Sequence, residues 1–179
     1  IGVQTGDSPV KNWGGVGVID FPDFQPLAKE AVIARMSKKY ACYQCPIACG
    51  GYMKAGTGEY KYAAGSRRPE YETIAMFGTD CLNNNLDSII KANDICDRYG
   101  IDTISAGAAI ALAIECYEKG LITKKDTDGI EMTWGNHKSI VAMTEKIAKR
   151  EGFGAVLADG VKAAAEKIGR GADQYAIHI

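Results

Sequence analysis

Three of the six cysteines fall within eight positions, in Cys42-Tyr-Gln-Cys45-Pro-Ile-Ala-Cys49-Gly50. The spacing is C-x2-C-x3-C, and Gly51 follows. Thiolates this close can wrap one soft metal centre. An iron–sulfur cluster is the leading reading, because such clusters are held by Cys thiolates and usually need four. Zinc also takes thiolate ligands and is the main rival. A third reading needs no metal. Offsets of three and seven lie on one helical face, so the cysteines would be small buried hydrophobes. Pro46 argues against a helix there, since proline lacks the N–H and clashes with the preceding turn. Gly50 and Gly51 favour an irregular segment that wraps round something.

Carboxylates form a second set. Ile90, Asn93 and Asp97 share one face of the helix expected before Gly100. That face is otherwise apolar, and a carboxylate near a helix C-terminus opposes the macrodipole. A local rule broken without compensation hints at function. The plain alternative is punctuation, with Gly100 ending one helix, Asp102 capping the next and Asp97 in solvent. Free backbone N–H groups at 102–105 also suit polar or anionic ligand groups. Glu70 and Glu72 fall in the first turn of another expected helix, where capping explains them. Either becomes a general acid or base if burial raises its pKa. His137 and His178 are isolated and read as structural.

The elements that position these residues follow from periodicity and breakers. Residues 1–25 are rich in glycine and proline and read as a loop or linker segment, with Trp13 anchoring it on something apolar. Ala28, Val32, Met36 and Tyr40 repeat at four and predict a helix over 26–40. The cysteines follow, then a weak alternation that predicts a short hairpin over 51–63. Pro69 opens a helix whose buried face includes Tyr71, Ile74 and Cys81. A helix over 86–99 stops at Gly100, and the next runs from Asp102 to Gly120. Its many small residues predict close packing and burial all round. After a loop over 121–135 come a helix over 136–150 and a last one pairing Leu157, Val161, Ala164 and Ile168. The expected class is all-α with at most a small hairpin, residues 26–179 forming the helical region.

Net charge is −1, with no basic block, which argues against nucleic acid. No apolar run approaches the ~20 residues of a membrane span. The sparse cysteines do not make a secreted disulfide framework, so a reducing cytoplasm is expected. The chain begins at Ile1 and ends on an apolar run, and is expected to be a piece of a longer multidomain polypeptide.

The ordered set of motifs resembles the aldehyde ferredoxin oxidoreductase family of tungsten-pterin enzymes. It comprises the cysteine stretch, Pro69-Glu70-Tyr71-Glu72, and Asp97-Arg-Tyr-Gly100-Ile101-Asp102-Thr103-Ile104-Ser105. Gly6-Asp-Ser-Pro-Val-Lys-Asn-Trp13 and Glu115-Cys-Tyr-Glu-Lys-Gly-Leu121 fit as well. The resemblance implies a tungsten (or molybdenum) bis-pterin beside a [4Fe–4S] cluster, with electrons passed to ferredoxin. It implies that Cys42, Cys45 and Cys49 are three cluster ligands. Asp97, Ile101 and Asp102 match a pterin-binding segment of pattern D-x-x-G-L-D, with Ile101 in place of Leu. Glu72 matches a carboxylate near the metal. The fourth cluster cysteine and an N-terminal β domain are expected outside this stretch, and Cys81, Cys96 and Cys116 do not match that ligand.

The implied activity is oxidation of aldehydes to carboxylic acids. The alternatives are the tungsten subunit of an aromatic acyl-CoA reductase, a non-catalytic iron–sulfur electron-transfer module, and a zinc-stabilised helical module. Expected partners are ferredoxin or another electron-carrier subunit and a small aldehyde or acyl-CoA substrate, in a possible oligomer.

Overall fold

The computed structural model describes residues 2–178. In chain order the elements are α1 (Gly2–Thr5), α2 (Gly17–Asp20), α3 (Lys29–Arg35), β1 (Met36–Tyr40), β2 (Gly50–Met53), α4 (Tyr71–Phe77), α5 (Leu86–Tyr99), α6 (Thr103–Glu118), α7 (His137–Lys149), α8 (Phe153–Leu157) and α9 (Val161–Ile168). The chain is mainly helical, with a small antiparallel hairpin.

At the centre is α6. Ala106, Ala109, Ile110, Ala111, Leu112, Ala113 and Ile114 along it are all buried. It packs on α4 so closely that a Cβ on Gly107 would lie 2.6 Å from the Cβ of Met76 and 2.9 Å from its carbonyl carbon. The expected all-round burial is present, and small residues are what permit this approach. Phe77, Ile89, Ile110, Met143 and Leu157 join the same core. The α5–α6 corner is built as the punctuation reading has it. Gly100 takes the left-handed conformation at φ 69°, and the Asp102 carboxylate accepts the Ser105 N–H at 2.7 Å. Ile101 packs against the core and donates its N–H to the Cys96 carbonyl at 2.9 Å.

Several expectations shift. The helix expected over 26–40 ends at Arg35, and Met36–Tyr40 turn into a strand paired with Gly50–Met53. The hairpin therefore lies around the cysteines and not over 51–63. Cross-strand pairing outweighs the helical period: the Tyr40 ring occupies the space where a Cβ on Gly50 would stand, 2.6 Å away. Gly50 and Gly51 are thus strand residues and not part of an irregular wrap. The last helix is two, α8 and α9, broken at Gly160 with φ 90°. The N-terminal segment carries two single-turn helices and a small apolar cluster of Val3, Val10 and Phe21. Trp13, expected to anchor the segment, is 57% exposed.

Candidate functional site

Cys42, Cys45 and Cys49 sit on the connection of residues 41–49 between β1 and β2, as free thiols. Cys42 and Cys49 are exposed and Cys45 is half-buried. The connection turns sharply. The Cys45 N–H donates to the Cys42 carbonyl at 3.0 Å, and Gln44 and Ala48 adopt φ 56° and 51°. Tyr43 and Ile47 point outward at 92% and 77% exposure. The core-packing reading of these cysteines is therefore set aside. Among the described residues no three or more His, Cys, Asp or Glu side chains converge as a ready metal site. The donor set is nevertheless all sulfur, accessible and on one short turning loop, which fits a thiolate-held cluster lacking one ligand. Cys81, Cys96 and Cys116 are sealed in the helical core.

A hydrogen-bonded path runs from this loop to the α5–α6 corner. The Arg68 N–H donates to the Gly51 carbonyl at 2.8 Å, and Arg67 bridges to Tyr52 beside it. The Arg67 carbonyl accepts from the Asn93 side-chain amide at 3.2 Å, and the same amide donates to the Asp97 carboxylate at 3.3 Å. Ile90 and Asn93 are buried on that face, while Asp97 at its end is exposed. Partial desolvation raises the Asp97 pKa; Arg67 nearby lowers it and Asp94 raises it further. Burial also works against ionised Asp94, but hydrogen bonds from Arg98 and Ser66 outweigh it and hold that carboxyl below its ordinary range.

Glu72 is exposed in the first turn of α4. The next residue, Thr73, is hydrogen-bonded to Thr103 at 2.8 Å, which sets the start of α4 beside Asp102 at the start of α6. Glu70 receives the Arg68 guanidinium at 2.7 Å. A cavity of about 1120 Å³ lies between the N-terminal segment, α3, the hairpin and the start of α4. Ser8, Lys39, Cys49, Arg68, Glu70 and Tyr71 are among its walls, whereas Glu72, Asp97 and Asp102 are not. Tyr71, expected in the core, is exposed and its hydroxyl meets the Ser8 hydroxyl at 2.9 Å. Arg67, Arg68 and Ser8 were not singled out in the sequence. The Arg67-Arg68 pair just before Pro69-Glu70 is the signal that marks two of them. The Nδ1 of His137 is bonded to the Tyr60 hydroxyl at 2.5 Å.

The family model described as "Aldehyde ferredoxin oxidoreductase, domains 2 & 3" matches residues 1–179. The chain belongs to the aldehyde ferredoxin oxidoreductase family. A tungsten-containing aldehyde ferredoxin oxidoreductase of Pyrococcus furiosus is 41% identical over 169 residues, covering 93% of this chain and 26% of its own. The "aliphatic sulfonate oxidoreductase, WOR-like subunit" of the same organism is 30% identical over 185 residues, covering 100% of this chain and 29% of its own. Among solved structures, the active site complex BamBC of benzoyl coenzyme A reductase, bound to 1,5-dienoyl-CoA, superposes with a TM-score of 0.74 at 25% identity. That match covers 94% of this chain and 24% of the other. The chain thus spans about a quarter of the length of the aldehyde ferredoxin oxidoreductases it matches. No helix of the described residues is long and apolar enough to cross a membrane.

Proposed function

We propose that the intact protein is a tungsten-pterin, iron–sulfur oxidoreductase that converts an aldehyde and water to a carboxylic acid. Two electrons and two protons are released per turnover, the electrons going to ferredoxin or another electron-carrier subunit. The observation that carries this reading is the family match along the whole chain, from the cysteine loop to the α5–α6 corner.

In this reading Cys42, Cys45 and Cys49 would supply three of the thiolate ligands of a [4Fe–4S] cluster. The fourth ligand comes from another segment, because the remaining cysteines are buried among helices. Asp97 and Asp102 would orient a pterin by accepting hydrogen bonds, with Ile101 in the turn between them. Glu72, exposed in the first turn of α4 here, would hold or move a proton at its carboxyl where the rest of the intact protein covers it. A tungsten or molybdenum bis-pterin, when bound, supplies the two-electron oxidation itself. A second reading, reduction of an aromatic acyl-CoA, is favoured by the backbone likeness to the benzoyl coenzyme A reductase complex.

The test is full-length protein purified without oxygen. Tungsten or molybdenum with iron and sulfide, together with aldehyde-dependent reduction of a viologen dye, is the expected result. Turnover of benzoyl-CoA without aldehyde oxidation selects the second reading. Iron and sulfide without a pterin metal, or zinc alone, overturns both.

A further inference from the structure

Lys11, Asn12 and Trp13 are three successive non-glycine residues in the left-handed region, at φ 54°, 49° and 63°. Single residues visit that region; a run of three persists only where the surroundings impose it. What imposes it is the turn after α4. Lys11 and Asn12 donate their N–H groups to the carbonyls of Thr79 and Asp80 at 3.2 and 3.0 Å. The Trp13 N–H donates to the Asp80 carboxyl oxygen Oδ1 at 3.1 Å. The Asn12 side-chain amide reaches Glu115 of α6 at 2.7 Å and the Tyr175 carbonyl at 2.9 Å.

Asp80 itself is fully buried, and its second oxygen, Oδ2, has no hydrogen-bond partner. A charged carboxylate left half-satisfied in a sealed site is costly, whereas the neutral acid is tolerated. Glu115 is the charged side chain that bears on it, Cys81 is its buried neighbour, and Lys11 at the rim is paired with Glu118 at 3.2 Å. Burial pushes the Asp80 carboxyl up to about 7; the Trp13 and Asn12 N–H groups oppose the rise and Glu115 adds to it.

The same strand of chain leads directly into the cleft. The Thr79 hydroxyl binds the Pro9 carbonyl at 2.5 Å, Val10 is buried, and Gly2, Val3, Gln4 and Ser8 form one wall of the 1120 Å³ cavity. We propose that a proton on Asp80 fastens the Lys11–Trp13 turn to the helical body, and that the Gly2–Ser8 wall of the cleft is held through this fastening. Asp80 is then a positioning residue whose charge loosens the wall. It acts independently of the metal chemistry proposed above.

The sign follows from linkage. The fastened form binds the proton more tightly than the open form, in which Asp80 meets water near its ordinary 3.8. Fastening is complete in acid, weakens about tenfold per pH unit as pH rises toward 7, and is level above it. The experiment is amide hydrogen exchange by mass spectrometry on the full-length protein between pH 5 and 9, corrected for intrinsic exchange. Protection of the amides at 11–13 is expected to fall about 10²-fold between pH 5 and 7 and then stay flat. Asp80→Asn keeps the acceptor for Trp13 but cannot ionise, so its protection is expected to be independent of pH. Glu115→Gln keeps the acceptor for Asn12 and removes the neighbouring charge, so the break moves to lower pH. Level protection in the native protein overturns the proposal. A slope that survives Asp80→Asn assigns the effect to another group and overturns it equally. If Asp80→Asn does not fold, an unmoved break in Glu115→Gln decides against it.

Discussion

The hydroxyls of Thr73 and Thr103 lie 2.8 Å apart and join the first turn of α4 to the first turn of α6. Through that contact the segments that carry Glu72 and Asp102, next door in sequence to each, are joined. Thr73 is only 3% exposed, so its hydroxyl has little access to water. Replacing Thr103 by Val leaves that hydroxyl unpaired and is expected to cost about 1–3 kcal/mol. The double Val variant removes both polar groups and should recover much of the loss. Urea denaturation of the singles and the double, read as a mutant cycle, checks this. Additive losses would mean that the hydroxyls do not act as a pair.

Cys45 is the half-buried member of the cysteine loop and the centre of its C-x2-C-x3-C spacing. Cys45→Ser is expected to bleach the broad visible absorbance of the intact protein and to lower bound iron, with helical content unchanged. Iron content equal to that of the native protein would rule out the cluster assignment.

Asp97 and Glu72 should separate by phenotype. Asp97→Asn turns one acceptor oxygen into a donor at nearly constant size. It is expected to release pterin and tungsten in parallel while the iron stays. Glu72→Gln is expected to retain both metals and slow turnover by about 10²–10⁴-fold, the range for a general acid or base. Full tungsten in the first variant, or full activity in the second, removes the corresponding role.

Gly107 offers a test of the core with a sign that helix propensity alone gets wrong. Alanine is the better helix former by about 1 kcal/mol. The new Cβ would stand 2.9 Å from the carbonyl carbon of Met76, and backbone does not yield as a flexible side chain does. Overpacking of this kind costs about 1–3 kcal/mol. Gly107→Ala is therefore expected to lower the midpoint of thermal unfolding, and a rise would show that α4 can retreat without loss.

Local chemistry was legible in the sequence and pairing at a distance was not. The Gly100 stop and the Asp102 cap depend on residues within one turn, and both stand where the chain's own rules put them. Met36 and Tyr40 keep the helical period of Val32, yet they form a strand, because Gly50 and Gly51 lie beyond a nine-residue connection and leave room for their side chains. Asp80, between Thr79 and Cys81, was not marked by the sequence. Its burial depends on residues 11–13, nearly seventy positions earlier, which no local period reports. The cysteine spacing was plain. Its place on a hairpin, tied through Arg67 and Asn93 to Asp97, required the three-dimensional arrangement.

The apolar cluster beneath the cysteine hairpin is distinct from the main helical core, although α5 contributes to it and Leu27 and Ile74 pack against both. Val32, Met53, Tyr62, Leu86 and Ile90 form the one beneath the hairpin, while the larger one is assembled from residues of the helical body, Phe77 to Ala172. That division bears on maturation. The helices meet across long stretches of chain, α5 against α7 and α4 against α6, and their shared core includes no residue of the connection 41–49. Cys42 and Cys49 face water on that connection. On the proposed cluster assignment, a donor would therefore meet an accessible loop beside a helical core whose packing needs no metal, and apoprotein awaiting iron is expected to keep its helices.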